Sequence, residues 1–327
     1  VPRPEPFIFT AFKQPAGLKA IVSFCMLLCM VVAVKAQLTN PHVAAVYDSA
    51  WTYKNLRLIP IRFMDTCQAN SLLPKGQYMS LAEALQHKKA EVKEFIYNGD
   101  GDVHILTIKN NSNKNILVND GELLQGGKQD RMIGETRIIE PGKEEQFLKT
   151  YCIEKGRWDK KPRAFTYGGV ADSRLRKTMD STGNQQAIWK EIELQFTDSG
   201  KQSDTWPYLQ LKNPDSKIDS AYLDYFLQRF QQSDSSYAGF IAVSGNQVIG
   251  ADLFATRELT TIAFENIVQG YILAIGDKDG QALPLKKEKE FTDKLLGSTE
   301  SQRKLLEKHG KQFMHQGKPL HITAYGF

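Results

Sequence analysis

Between Asn55 and Ile153 the chain is cut into short apolar runs by closely spaced turn signals, which leaves room for strands and little else. Leu56–Phe63 reads as a strand, and Pro60, which lacks an amide donor, assigns it to a sheet edge. Val92–Tyr97 and Val103–Lys109 flank the turn Asn98-Gly99-Asp100-Gly101. Ile116–Val118, Met132-Ile133, Thr136–Ile139 and Gln146–Ile153 add further short strands, with a hairpin signal at Asp120-Gly121 and a break at Pro141-Gly142. A single helix is expected within this span, Leu81–Lys89, capped by Ser80 with Glu83 three residues on.

After Trp158 the pattern changes. Gln185–Phe196 reads as a helix, and Ile218–Phe230 more clearly so, with Ile218, Ala221, Tyr222, Tyr225, Phe226 and Phe230 on one face. A hairpin follows, Phe240–Val243 and Val248–Leu253 about Ser244-Gly245-Asn246-Gln247. Then come a long helix, Thr256–Ile275, two charged helices, Lys286–Leu296 and Ser301–His309, and a closing strand, Leu320–Tyr325. Hairpins without regular strand–helix alternation predict an α+β fold. It comprises a β-rich N-terminal half with hairpins, followed by helices, a further β-hairpin and a C-terminal strand. The polar loop 198–217 either divides two subdomains or is an excursion from one.

Ile21–Val34 is an unbroken run of apolar and small residues behind Lys13 and Lys19, short of the roughly 20 residues that cross a bilayer. It leads to Val34-Lys35-Ala36, small residues at the positions a signal peptidase reads. Residues 1–36 are therefore expected to be a secretory signal peptide, with the start overextended because the chain opens on Val1. A retained anchor or buried helix is the alternative. The expected organisation is 37–54 as a linker and 55–327 as a single domain, β-rich over 55–160 and α+β over 161–327. Export to the periplasm or beyond follows, with no membrane span after cleavage. The net charge of +5 is largely N-terminal; beyond residue 36, 38 basic face 36 acidic residues, which gives no support for a nucleic-acid partner. Cys67 and Cys152 remain after cleavage, able to pair in an exported protein or to stay as thiols.

Two stretches stand out chemically. Gly121–Arg131 resembles the start of a phosphate loop, but Gly127 intervenes before Lys128, and Gln129 replaces the hydroxyl residue that would bind Mg²⁺. What is left is a glycine-rich turn, Gly126-Gly127, displaying Glu122, Lys128, Gln129 and Arg131. Downstream, Glu154, Arg157 and Trp158 follow a strand of the same half, so both groups are expected to meet at one end of a sheet. Cations with an aromatic face suit a small anionic or sugar-like ligand. Glu122 and Glu154 are the candidate acid–base pair, or else serve to neutralise the cations. The six histidines lack zinc-ligand spacing, so no metal is expected. No cofactor motif appears.

Gly121-Glu122, Gly126-Gly127-Lys128-Gln129 with Arg131, and Cys152, Glu154 and Gly156-Arg157-Trp158 together resemble the ADP-ribosylglycohydrolase and rhodanese-phosphatase-superfamily-associated protein domain family. Weaker echoes are Ser80–Leu85, Ser173–Arg176, Gln185 with Trp189, the hairpin Ile241–Phe254 and the terminal His321–Phe327. The resemblance covers roughly residues 55–327. It implies an association with ADP-ribose-processing enzymes and phosphatases, carries no established reaction, and makes Cys152 a structural thiol. The expected function is an exported protein binding a small anionic or ADP-ribose/sugar-phosphate-like ligand at the glycine-rich site. The alternative is a noncatalytic cell-envelope interaction module whose motif residues form a structural knot.

Overall fold

The structure is a computed structural model describing residues 38–64, 73–74, 76–97, 100–142, 144–212, 216–233, 236–276, 278, 280–282 and 287–326. The expected signal peptide, Cys67 and the turn residues Asn98-Gly99 lie outside them.

The first half contributes β1 (Val43–Ala45), β2 (Thr52–Tyr53), β3 (Leu56–Phe63), β4 (Tyr78–Ser80), α1 (Leu81–Gln86), β5 (Ala90–Tyr97), β6 (Asp100–Asn110) and β7 (Asn115–Val118). It continues with β8 (Glu122–Gly127), β9 (Arg131–Ile133), β10 (Arg137–Ile139), β11 (Gln146–Cys152) and β12 (Arg163–Val170). Helices α2 (Ser173–Thr182), α3 (Gln185–Asp198) and α4 (Lys217–Gln231) precede the hairpin β13 (Tyr237–Ser244) and β14 (Gln247–Phe254). The chain closes with α5 (Arg257–Leu273), α6 (Lys287–Leu296), α7 (Thr299–His309), β15 (Gly310–His315) and β16 (Lys318–Ala324). The fold is α+β. Among the described residues no helix is long and apolar enough to cross a membrane.

Three sheets result. The largest runs β1-β3-β13-β14-β16-β15, with β2 paired to β3; a second runs β10-β7-β4; the third runs β12-β8-β9-β11-β6-β5. Strand β13 shows why helices cover the largest sheet on both faces. Phe240 and Ala242 enter the aromatic core with Tyr222, Phe226 and Phe264, while Ile241 and Val243 pack with Phe291 and Leu295 from the opposite side. That period of two sends alternate side chains to α4–α5 and to α6–α7.

Four readings of the sequence are corrected. Residues 43–53, expected within a linker, form β1, β2 and a short 3₁₀ turn that buries Trp51. Strand β3 is interior despite Pro60, because the Pro60 carbonyl accepts from Val46 and its nitrogen faces that same side, beyond the last β1 pair at Ile61. No ladder bond to β13 is lost. Asp120-Gly121 is not a hairpin, since β7 pairs with β4 and β10 while β8 pairs with β9 and β12. There the chain crosses between sheets, with Gly121 at φ 79. Finally, β4, β8, β12, α2 and β15 are additional to the elements expected from the sequence.

Candidate functional site

The glycine pair expected as a turn is instead the end of β8, lying against β12. Gly126 has φ 126 and Gly127 φ 56, and a Cβ would come within 2.5 Å of the Ala164 carbonyl oxygen at the first and 2.1 Å of the Phe165 ring at the second. Only glycine lets the two backbones approach this closely. The loop that follows closes back on the pair: the Gly126 amide donates to Asp130 Oδ1 (2.8 Å), and the Lys128 amide donates to Glu94 Oε1 (2.7 Å). Arg157 then ties in the second motif, donating to Asp130 Oδ1 (2.7 Å), Glu154 Oε2 (2.5 Å) and the Gly127 carbonyl (3.5 Å). Gln129 donates to the Glu154 carbonyl (2.8 Å), and the fully buried Arg131 donates to the Gln129 carbonyl (3.0 Å) and to Glu94 (3.4 Å). The Lys128 ammonium lies 4.7 Å from the Trp158 ring.

Seven of the expected site residues — Gly126, Gly127, Lys128, Gln129, Arg131, Glu154 and Arg157 — are thus brought together, with Trp158 at the rim. The cations already have partners. Arg131 and Arg157 face Glu94, Asp130, Glu154 and, at 3.8 Å, Asp159. Both guanidiniums are thus matched by carboxylates, and these bonds tie the 152–158 loop to β8 and β9. Cys152 lies beside it as a free, buried thiol, pushed up to about 11 by burial, although nearby Arg131 opposes that rise. Such a thiol is inert. The side chain of Gln185 brackets its backbone, accepting from the Cys152 amide and donating to the Cys152 carbonyl (both 2.8 Å).

Glu122 does not join this group. It starts β8, five residues from Gly127, or about 16 Å of extended chain. The expected Glu122–Glu154 pair is therefore not formed. Glu122 is fully buried, accepting from the Asn119 amide (2.8 Å), the Asn266 side chain (2.9 Å) and the Tyr167 hydroxyl (3.3 Å). Burial pushes it up to about 8, favouring the neutral carboxyl.

Next to it lies a junction of buried charge. Arg176 of α2 donates to Asp120 Oδ2 (3.0 Å) and to Asp252 Oδ1 (2.6 Å). His321 lies 2.9 Å from Asp252 and 3.2 Å from Asp120, stacked on Phe254 with centroids 4.0 Å apart. Thr136 donates to Asp120 (2.9 Å), and Tyr271 donates to Asp252. Burial opposes every charge here, but Arg176 and His321 outweigh it, holding Asp120 well below the usual carboxylate range and Asp252 at about 2. For His321 the hydrogen bonds to Asp120 and Asp252 overcome burial and raise its pKa. Gly121 belongs to this junction as well, since a Cβ there would lie 2.6 Å from the Arg176 stem. The sequence echoes at Arg176 and His321 converge here.

Open space lies elsewhere: one cavity of about 420 Å³ is lined by Arg174, Lys177, Phe291 and Tyr325, and two more lie around Lys212. These two, of about 350 and 270 Å³, share Lys212 and Leu273 in their walls. The larger, within the size range of small-molecule sites, is also lined by Gln125, Gly168, Gly169, Ile272 and Gln269. Strand β12 bulges between Tyr167 and Gly169. There the Gly168 carbonyl accepts from Lys212 Nζ (3.1 Å), and a Cβ on Gly169, at φ 92, would lie 2.4 Å from that nitrogen. Burial draws the amine down to about 8, with Asp172 pulling the other way. In the second cavity the Tyr208 hydroxyl donates to Asp172 Oδ2 (2.8 Å), and burial raises the Asp172 carboxyl. Sequence reasoning missed this cleft because Lys212 lies in the loop read as a divider or excursion. The signal was the Gly168-Gly169 doublet inside a strand, which marks a bulge or a close approach. Among the described residues no group of three His, Cys, Asp or Glu is placed to hold a metal ion.

Compared with known proteins, residues 44–324 match the domain family described as the ARG and Rhodanese-Phosphatase-superfamily-associated Protein domain. No curated protein and no solved structure matches the chain.

Proposed function

The chain belongs to the ARG and Rhodanese-Phosphatase-superfamily-associated Protein domain family, and from that premise we propose that it binds a small anionic, sugar-phosphate-like ligand in the cleft around Lys212. The observation that carries this is a mostly buried lysine amine set in the shared wall of two cavities and accommodated by a bulged glycine pair. With its pKa near 8 the amine is mostly protonated at pH 7 and supplies a positive charge where ligand is held. Gln125, Gln269 and Ser220 offer hydrogen bonds, and Leu223, Ile272 and Leu273 an apolar wall. That mixture is typical of small-molecule sites. In this reading the glycine-rich knot is structural and positions β8 and β12, which line the cleft through Gln125 and Gly168. Export is part of the same proposal and rests on the apolar run Ile21–Val34 alone.

Thermal unfolding with ribose 5-phosphate and with ADP-ribose tests it. At a hundred times the dissociation constant, ligand stabilises a protein by about 2.7 kcal/mol, a shift of several degrees. Lys212→Met keeps the stem, drops the charge and is expected to abolish the shift. Lys304→Met, which removes an exposed charge on α7, leaves it in place. A parent protein that neither ligand stabilises, or a shift unchanged in Lys212→Met, would sink the reading.

A further inference from the structure

Lys212 has the surroundings of a reactive amine as well as of a charge. Its nitrogen meets a neutral acceptor, the Gly168 carbonyl at 3.1 Å, and among the described residues no carboxylate pairs with it. The missing side chain at Gly169 leaves the space the nitrogen occupies, so its position is built into the bulge. Its side chain borders both cavities, and the second is walled by the hydrogen-bonded Asp172 carboxyl and Tyr208 phenol. Asp219, the acid in the wall of the larger cavity, is already taken by Lys278.

We infer that Lys212 is a nucleophile that condenses with the carbonyl carbon of a small aldehyde or ketone, an open-chain sugar phosphate being the class that fits the cleft. The inference rests on the ligand reading above. The neutral amine attacks the carbonyl carbon, and one of its protons passes to the former carbonyl oxygen to give a carbinolamine. A second proton, from solvent, reaches that oxygen, which leaves as water while the C=N bond forms on a nitrogen that keeps its remaining proton. Amine, carbonyl and that proton thus give a protonated imine and one water, with no oxidant or reductant consumed. The protonated imine carries the positive charge, so a phosphate on the same ligand keeps its counter-charge. Burial supports the first step: at about 8 against an ordinary 10.5, the neutral fraction near pH 7 rises roughly 300-fold.

The full chain incubated with ribose 5-phosphate and reduced with cyanoborohydride tests this by peptide mapping. The peptide containing Lys212 is expected to be labelled at least about tenfold faster than those carrying exposed lysines such as Lys304, which serve as internal controls. Labelling at that site disappears in Lys212→Arg, whose guanidinium keeps the charge and does not condense. Thermal shifts are read alongside. Ribose 5-phosphate that stabilises the parent but leaves Lys212 labelled no faster than the exposed lysines overturns the imine and spares the binding site. If neither stabilisation nor selective labelling is seen, both fall.

Discussion

Arg176→Met is expected to lower the unfolding free energy by about 3–5 kcal/mol, the usual penalty for stripping one partner from a buried ion pair. Arg176 is 2% exposed and bridges Asp120 and Asp252, themselves 0% and 1% exposed. Methionine fills much of the volume, yet it leaves Asp120 and Asp252 without their shared guanidinium. Urea denaturation at pH 7 reads the loss directly. Adding Asp120→Asn and Asp252→Asn to the variant removes the uncompensated charges and is expected to restore part of the stability. A loss below about 1 kcal/mol, within the range of an exposed pair, would mean that the junction is not closed to water.

The second large effect depends on pH. Glu122 is pushed up to about 8 in the folded chain from an ordinary value of 4.5, because burial disfavours its charged form. The folded state therefore holds this proton more tightly than the unfolded state. The stability it contributes is complete below pH 4.5 and is lost progressively as the pH rises to 8. Glu122→Gln keeps the shape and cannot ionise. Relative to the parent, the variant is expected to gain about 4 kcal/mol between pH 5 and pH 8.5, passing from equal or less stable to more stable. Two melting curves that stay parallel over that range would show the carboxyl to be ionised, and so wetter than its surroundings imply. Asp120 and Asp252 titrate in the opposite sense, with pKa values held low by Arg176 and His321, so their contribution is lost in acid and leaves this window clear.

Local chemistry was legible in the sequence where it acts over a few residues. Ser80 caps its helix by accepting from the Glu83 amide, as its spacing to Glu83 predicts, and of the expected apolar stripe Tyr222, Phe226 and Phe230 form the buried face of α4 while Ile218 stays 42% exposed. The turn Ser244–Gln247 joins β13 and β14 as its residues require. Of the site, the union of Gly126–Arg131 with Glu154–Arg157 was legible too, since both flank paired strands. Direction along a strand was not. Glu122 stands beside the motif in the sequence, yet an extended backbone carries it some 16 Å away. Nor do residues that meet across long separations announce themselves. Lys212 finds its acceptor 44 residues back, and Arg176 finds Asp252 76 residues ahead. No periodicity encodes such pairs. Proline misled for a related reason: its cost depends on which side of the strand its nitrogen faces, and that is decided by the neighbouring strands.

The charge junction also bears on how the molecule comes apart. Asp120 lies on the crossing from β7 to β8, Arg176 on α2, and Asp252 and His321 on neighbouring strands of the largest sheet. Prising any one of these elements loose strands an ion in a dry interior, at a cost that is a large share of the stability of an ordinary domain. Partial opening at this seam is therefore disfavoured against complete unfolding. Three sheets that might have melted in succession are bound into one cooperative unit, and hydrogen exchange at the seam should follow the global free energy.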